Sequence, residues 1–356
     1  MTAELPASLV ANPWISTWLT VTDDGTIVLR VGKVELGQGI LTALTQIAAH
    51  ELDVPPEVVS AEATNTAASP NEGLTAGSLS ITFSGAAVRR VCAEARELYR
   101  RAAARRSGRD TGEVCLAAGV FTTPDGSRIG SYADLSAEVD LHVKVGDPSL
   151  EIELAPPTSK DLARVDLPDK VLGKPRFIHD LEFPGMVHAR VVRPPRVGAH
   201  FESAALEDIS TMPGIETVVR DGDFVAVVAR REGQATRAAE KLASTATWSA
   251  GIDLPDVDDL PRWLRTAEAD VRPIRSDGAH HNDAAAVVEA AFARPFLAHA
   301  SIGPSCALAH LDGGRLQVWS HSQGVFSLGP AIAAALGLDP DAVGVEHDEG
   351  PGTYGH

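Results

Sequence analysis

The chain has 356 residues, 44% of them hydrophobic and 22% charged, with a formal net charge of −17 at pH 7. That balance is globular, the length allows two or three domains, and the acidity argues against a nucleic-acid partner. Three scattered cysteines (Cys92, Cys115, Cys306) encode neither an iron–sulfur cluster nor a disulfide framework; there is no apolar run long enough for a membrane span and no secretory signal at the start, so cytoplasm is the default location.

Residues 26–34 alternate apolar and polar side chains, with Ile27, Leu29 and Val31 on one face, as a half-buried strand does. Gly37-Gln38-Gly39 breaks that pattern, and from Ile40 the apolar positions Ile40, Leu44, Ile47, Ala48 and Leu52 recur at helical spacing. Glycines allow a tight turn close to a ligand, and the free amides of the first helical turn would face it, so the segment reads as an anion cradle to which Gln38 adds hydrogen bonds. An ordinary strand-to-helix turn with a glycine pair has the same pattern. Beside it, Glu35 reads as a solvated strand-edge residue or a neighbour of a cofactor's tail, not as a base.

A second cradle follows at residues 75–82, Thr-Ala-Gly-Ser-Leu-Ser-Ile-Thr, ahead of a helix expected over 82–104 with Phe83, Ala87, Val91, Ala95 and Leu98 on one face. Ser78, Ser80 and Thr82 serve equally well as caps of that helix. Two glycine-preceded helix starts so close together suggest a clamp for a large cofactor bearing a pyrophosphate. The arginine-rich stretch 89–109 reads as a solvated helix face. Residues 114–145 are strand-rich with a hairpin turn at Pro124-Asp125-Gly126, and Pro156-Pro157 marks a linker. A small α+β segment comes next: strands within 186–192 and 224–229 and a helix over 234–243. His179 and His188 there lack a second ligand at metal-site spacing. Residues 251–285 are an acidic, proline-bearing connector, and 342–347 are a strand. Gly350 to Gly355 spells Gly-x-Gly-x-x-Gly, but a dinucleotide fingerprint needs a helix after the loop, so a nicotinamide-dependent dehydrogenase ranks last.

These blocks together resemble the molybdopterin-binding large subunit of the xanthine dehydrogenase and aldehyde oxidase family, in its isoquinoline 1-oxidoreductase and nicotinate dehydrogenase branch. There the Gly-Gln-Gly region precedes the hammerhead domain instead of following it. The resemblance implies an α+β fold with molybdopterin-binding portions flanking an α/β hammerhead: 1–158 cofactor-binding, 159–250 hammerhead-like, opening with the run from Arg164, 251–285 linker, and 286–356 the start of a molybdenum-binding domain. It implies that Gly37, Gln38, Gly39, Thr42, Ser78, Leu79 and Ser80 contact molybdopterin, in mononucleotide or cytosine dinucleotide form. Gly352, Tyr354 and Gly355 would line the pocket. Gln323, in the run Ser320-His-Ser-Gln-Gly-Val-Phe326, would approach the metal's oxo ligand as the catalytic residue, with no metal ligand supplied by protein. The complete enzyme would hydroxylate an N-heterocycle or aldehyde with water as oxygen source, and pass electrons to a small [2Fe-2S] subunit and then a cytochrome c or flavin partner. The family's general base is a glutamate in a C-terminal block beyond the last residue here. The chain therefore reads as a fragment, inactive alone, completed by a polypeptide supplying the C-terminal half, or else as a non-catalytic cofactor-holding or assembly subunit.

Overall fold

The computed structural model describes residues 5–147, 152–156, 162–275 and 285–354. It is a mixed α/β structure in two compact units, one of Met1–Leu181 with His299–His356 and the other Glu182–Ala298.

In the first unit, β1 (Leu19–Val21), β2 (Ile27–Leu29) and β3 (Val59–Ala61) form a sheet in that order, β1 antiparallel and β3 parallel to β2. The ladder stops at Leu29, short of the strand expected to Val34, although Val31 and Val34 stay buried. Helix α1 (Ile40–Leu52) crosses from β2 to β3 as its periodicity predicts, entered through Gly39 at φ 82° and ended at Asp53 at φ 49°. Helix α2 (Ala86–Ser107) is preceded by a π-helical turn, Ile81–Gly85, and ends at the left-handed Gly108, a C-cap position that glycine occupies without strain. A Cβ on Gly85 would lie 3.3 Å from Ile47, so glycine lets the two helices approach closely. Leu9, Trp18, Leu44, Leu52, Val91, Tyr99 and Phe121 fill the core between them. An antiparallel meander, β4 (Cys115–Ala117), β5 (Val120–Thr122) and β6 (Arg128–Ser131), follows with the expected turn at Gly126.

The arginines of α2 are not a simple solvated face. Arg89 and Arg96 both pair with Glu51, which is 1% exposed, and Arg90 pairs with the wholly buried Glu94. Carboxylates this deep need a charged partner, so part of the arginine run is spent inside.

The C-terminal piece contributes β7 (Ala307–Asp312), β8 (Arg315–Ser320) and β9 (Val343–His347), with β7 antiparallel and β9 parallel to β8. Helix α3 (Val325–Leu336) connects β8 to β9 over a core of Leu316, Val318, Val325, Ala333, Val343 and Val345. It joins the N-terminal piece through a bridge between Asn65 and Glu346, and Thr66 N and His347 N donate to Val345 O and Thr64 O. Residues 162–181 also belong to this unit, bridging Phe177 to Glu349; the compact second unit begins at Glu182, not at the expected 159.

Within that second unit, strand Phe224–Ala229 lies between His188–Val192 and Ile215–Asp221, antiparallel to both. Helix Glu232–Thr245 buries Ala235, Ala238 and Leu242, the last two in a core with Val192, Phe201, Val225 and Val227. No described helix is long and apolar enough to cross a membrane.

Candidate cofactor site

The first cradle holds an anion of the protein's own. Glu35 is 3% exposed, and its carboxylate accepts from Gly37 N at 2.9 Å, Gly39 N at 2.8 Å and Leu41 N at 3.3 Å. Of the amides expected to be free at the start of α1, those of Gly39 and Leu41 are thus occupied, with the negative charge at the positive end of the helix dipole. Burial overturns the expectation of a solvated strand edge for Glu35. Gln38 is spent on its own loop: its Nε2 donates to Val34 O, and its Oε1 accepts from Leu36 N. Thr42 faces the protein as well, accepting at Oγ1 from Val165 N.

The second cradle is open. Gly77 and Ser78 take consecutive left-handed conformations, φ 69° and 58°, the second a strained choice for a non-glycine residue. Among the described residues, neither the Ser78 nor the Ser80 hydroxyl has a hydrogen-bond partner, and Ser80 does not cap the following turn. A cavity of about 450 Å³, within the range of small-molecule sites, is lined by Leu36, Gly37, Gln38, Thr75, Ala76, Ser78, Ser80, Thr353 and Tyr354. The structure therefore brings Gly37, Gln38, Ser78, Ser80 and Tyr354 to one cavity. Gly39, Thr42 and Leu79 do not line it, and Gly355 is outside the described residues.

Gln323 donates from Nε2 to Thr75 O at 2.7 Å, while Thr75 N donates to Gln323 O at 2.9 Å. Thr75 is further held by Val34 N, which donates to its Oγ1, and the buried Lys33 ammonium donates to Leu74 O. Gln323 thus fixes the entrance to the second cradle from the C-terminal sheet.

A second cavity of about 410 Å³ shares Leu36, Gly37 and Tyr354 with the first and adds Gly352, Phe177, His179, Pro304 and Glu349. Its wall is largely apolar. Glu349 is clamped there by Lys170 Nζ at 2.6 Å and Arg176 Nε at 2.9 Å, and Ile178 N donates to its carbonyl. Lys170 also holds Asp166 at 2.5 Å, which Arg164 grips through two nitrogens at 2.9 and 2.6 Å. Those bonds, first the one from Arg164, keep the Asp166 carboxyl well below the usual carboxylate range. Burial pulls the Lys170 pKa down, but its bonds to Asp166 and Glu349 outweigh that and leave it raised. His347, 4% exposed, has Nε2 2.8 Å from Glu35 O and Nδ1 3.2 Å from Ser322 O. Burial lowers its pKa, against the two carbonyl contacts, which favour the protonated ring. Next to it, burial and the neighbouring Glu346 and Glu349 push the Asp348 carboxyl up to about 6.

The sequence does not mark Lys170, Arg176, His347 and Glu349 as part of a site. Only placement beside a glycine loop could have signalled it, and for Glu349 alone. No group of three or more His, Cys, Asp or Glu side chains among the described residues is arranged to hold a metal ion.

Residues 5–154 match one family of molybdopterin cofactor-binding domains and residues 270–356 another of the same description. The chain is 33% identical to a nicotinate dehydrogenase component of Pseudomonas putida over 355 residues, covering 96% of this chain and 30% of that protein. It is 28% identical to the isoquinoline 1-oxidoreductase beta chain of Brevundimonas diminuta over 299 residues, covering 72% of this chain and 38% of that one. Quinoline 2-oxidoreductase from Pseudomonas putida 86 superposes with a TM-score of 0.41 at 18% identity, over 52% of this chain and 30% of that chain. The chain thus spans between a quarter and two fifths of these relatives.

Proposed function

For a chain that belongs to the molybdopterin-binding proteins of the xanthine dehydrogenase family, with two molybdopterin cofactor-binding domains, we infer that it forms the cofactor grip of a molybdenum hydroxylase. The observation that carries this reading is the open cradle at residues 76–80 facing the 450 Å³ cavity. Its unpartnered hydroxyls and left-handed turn suit the phosphate or pyrophosphate end of the cofactor, whereas the start of α1, already filled by Glu35, does not. Ser78 and Ser80 donate to that end, and Gly37 and Gln38 form the opposite wall. Gln323 orients the cradle through Thr75. Tyr354 borders both cavities and Gly352 the second, so the second cavity takes the substrate.

When bound, the cofactor supplies two-electron redox chemistry at molybdenum. The complete enzyme converts a C–H of an electron-poor N-heterocycle or an aldehyde, with water, to C–OH, two electrons and two protons. The names of the relatives favour a nicotinate-like heterocycle. Electrons leave through a separate [2Fe-2S] subunit to a cytochrome c or flavin carrier. The hammerhead domain falls within residues 159–250, which include the sheet of strands His188–Val192, Ile215–Asp221 and Phe224–Ala229 and the helix Glu232–Thr245.

A second reading, that these residues hold the cofactor without performing the chemistry, is favoured by Glu349, the one carboxylate among the described residues that lines either cavity. Two cations clamp it, so both of its oxygens are already committed to ion pairs. Either way, the chain purified from cells that make molybdopterin should carry pterin and molybdenum in equal amount, and Ser78→Ala/Ser80→Ala should lose most of both. A wild-type chain free of pterin, or a double variant that retains it fully, overturns the assignment. Hydroxylation that depends on an added polypeptide bearing a glutamate base would decide for the holding role.

A further inference from the structure

The six side chains Glu35, Arg164, Asp166, Lys170, Glu349 and Arg176 alternate in sign along a continuous path. Its links measure 3.7 Å between Glu35 and Arg164, 2.6 Å to Asp166, 2.5 Å to Lys170, 2.6 Å to Glu349 and 2.9 Å to Arg176. Burying such a row seldom gives more stability than apolar packing of the same volume, and its best-attested use is to fix geometry. Here the geometry concerns two loops. At one end Glu35 holds the amides of Gly37, Gly39 and Leu41, and Arg164 donates to Gly37 O at 2.8 Å. At the other end Glu349 directly precedes the Gly350-Pro351-Gly352 loop that lines the second cavity. His347 closes the circuit behind them, since its Nε2 meets Glu35 O while its chain runs on through Asp348 into Glu349.

We propose that this closed ring of Glu35, Arg164, Asp166, Lys170, Glu349 and His347 is a positioning device that couples the Gly37–Gly39 loop to the Gly350–Gly352 loop, so that both walls of the cofactor and substrate cavities move as one body. Three observations support it beyond the ion pairs themselves. At one end the ring grips loop backbone directly, and at the other Glu349 is itself the residue that leads into the loop. The central members come from residues 164–170, a strap further fixed by Val165 N donating to Thr42 Oγ1. The cavities share Leu36, Gly37 and Tyr354, so a displacement of one loop relative to the other would change both. The coupling stands on the geometry alone; its role in holding a cofactor rests on the function proposed above.

Lys170→Met is the decisive variant, because Lys170 touches only Asp166 and Glu349 in the ring and none of the Gly37 loop. Amide hydrogen exchange on the full chain, read by mass spectrometry, should be faster by at least tenfold both in residues 36–41 and in residues 350–354, with α2 and the strand Phe224–Ala229 unchanged. Arg164→Met should give the same two-loop signature, and the double variant no more than either single. Exchange that rises only at residues 350–354 in the lysine variant, or equally throughout the first unit, overturns the proposal. Should either methionine variant fail to fold, Arg164→Lys, which keeps the charge but loses the fork, must still accelerate both loops together. In chains loaded with molybdopterin, Lys170→Met should release pterin several-fold faster than wild type, and equal retention overturns the positioning role. A wild-type chain that never retains pterin instead counts against the proposed function, and the exchange experiment still decides the coupling.

Discussion

Replacing Glu35 by alanine removes the anion at the start of α1. Three N–H groups, at 2.8, 2.9 and 3.3 Å, lose one acceptor together. A hydrogen bond to a charged group contributes ~1.5–3 kcal/mol, and a buried donor left unpaired costs ~1–3 kcal/mol. The three bonds share one carboxylate and the longest is weak, so the terms do not add, and water reaches the exposed Gln38 beside them. With ~0.3–1 kcal/mol for charge at the helix N-terminus, the expected loss is about 2–4 kcal/mol. Arg164 keeps both bonds to Asp166, so no charge is orphaned. Urea unfolding followed by tryptophan fluorescence, in which the wholly buried Trp18 reports on the first unit, measures the loss as a lower midpoint. The emptied amides also predict chemical rescue: formate or acetate should restore part of the midpoint in Glu35→Ala and leave wild type unchanged. A variant within about 0.5 kcal/mol of wild type, without an anion effect, would refute the view that this carboxylate occupies the cradle.

Asp348 predicts a pH dependence. Its folded pKa of about 6 lies above the ordinary carboxyl value, so the folded state favours the protonated form; the associated stability is fully present below about pH 4 and lost as pH rises through 6. Asp348→Asn should flatten urea midpoints measured between pH 4 and 7, and an unchanged slope would count against the assignment. Two glycine substitutions should differ in kind. Gly350→Ala places a Cβ 2.5 Å from His321, an overpacking expected to cost about 1–3 kcal/mol and to distort the second cavity, whereas Gly37→Ala meets no atom within 4 Å and incurs only the strain of φ 99°, on the order of 1 kcal/mol. Equal thermal shifts for the two would contradict this. Burial pushes the Cys92 thiol far up, so an aromatic disulfide reagent should label exposed Cys115 in the native chain and leave Cys92 until unfolding; early labelling of Cys92 would show that the α2 core opens.

The elements that positioned themselves in the sequence did so through periodicity. Ile40, Leu44, Ala48 and Leu52 bury one face of α1, as their spacing requires, and the turn at Gly126 follows from its local residues. What remained hidden depends on contacts that no local pattern records. Glu35 is a charge, and charges default to solvent, yet in Glu-x-Gly-x-Gly the chain folds back so that the side chain reaches amides two, four and six positions on. Residues 164–181 join the first unit because their charges complement Glu35 and Glu349, and pairings across so many positions leave no periodic trace. Several of the α2 arginines look like solubility charges until Glu51 and Glu94 are found buried beneath them. The Ser78 and Ser80 cradle was legible as hydroxyls before a helix; that it stays open, while its partner is self-filled, is a three-dimensional fact.

The first unit is assembled from two stretches of chain with the whole second unit inserted between them, and this sets an order of events during synthesis. When residue 181 leaves the ribosome, the N-terminal core can form, because its helices and sheets pair locally. Glu35, Arg164, Asp166 and Lys170 are then in place, but Glu349 and His347 have not yet been made, and Thr75 lacks Gln323. The inserted unit, whose strands pair within their own segment, can fold during the wait. Only after residues 323–354 have emerged do Asn65 and Glu346 bridge and both cavity walls exist. Loading of any large ligand accordingly has to wait until residue 354 has emerged.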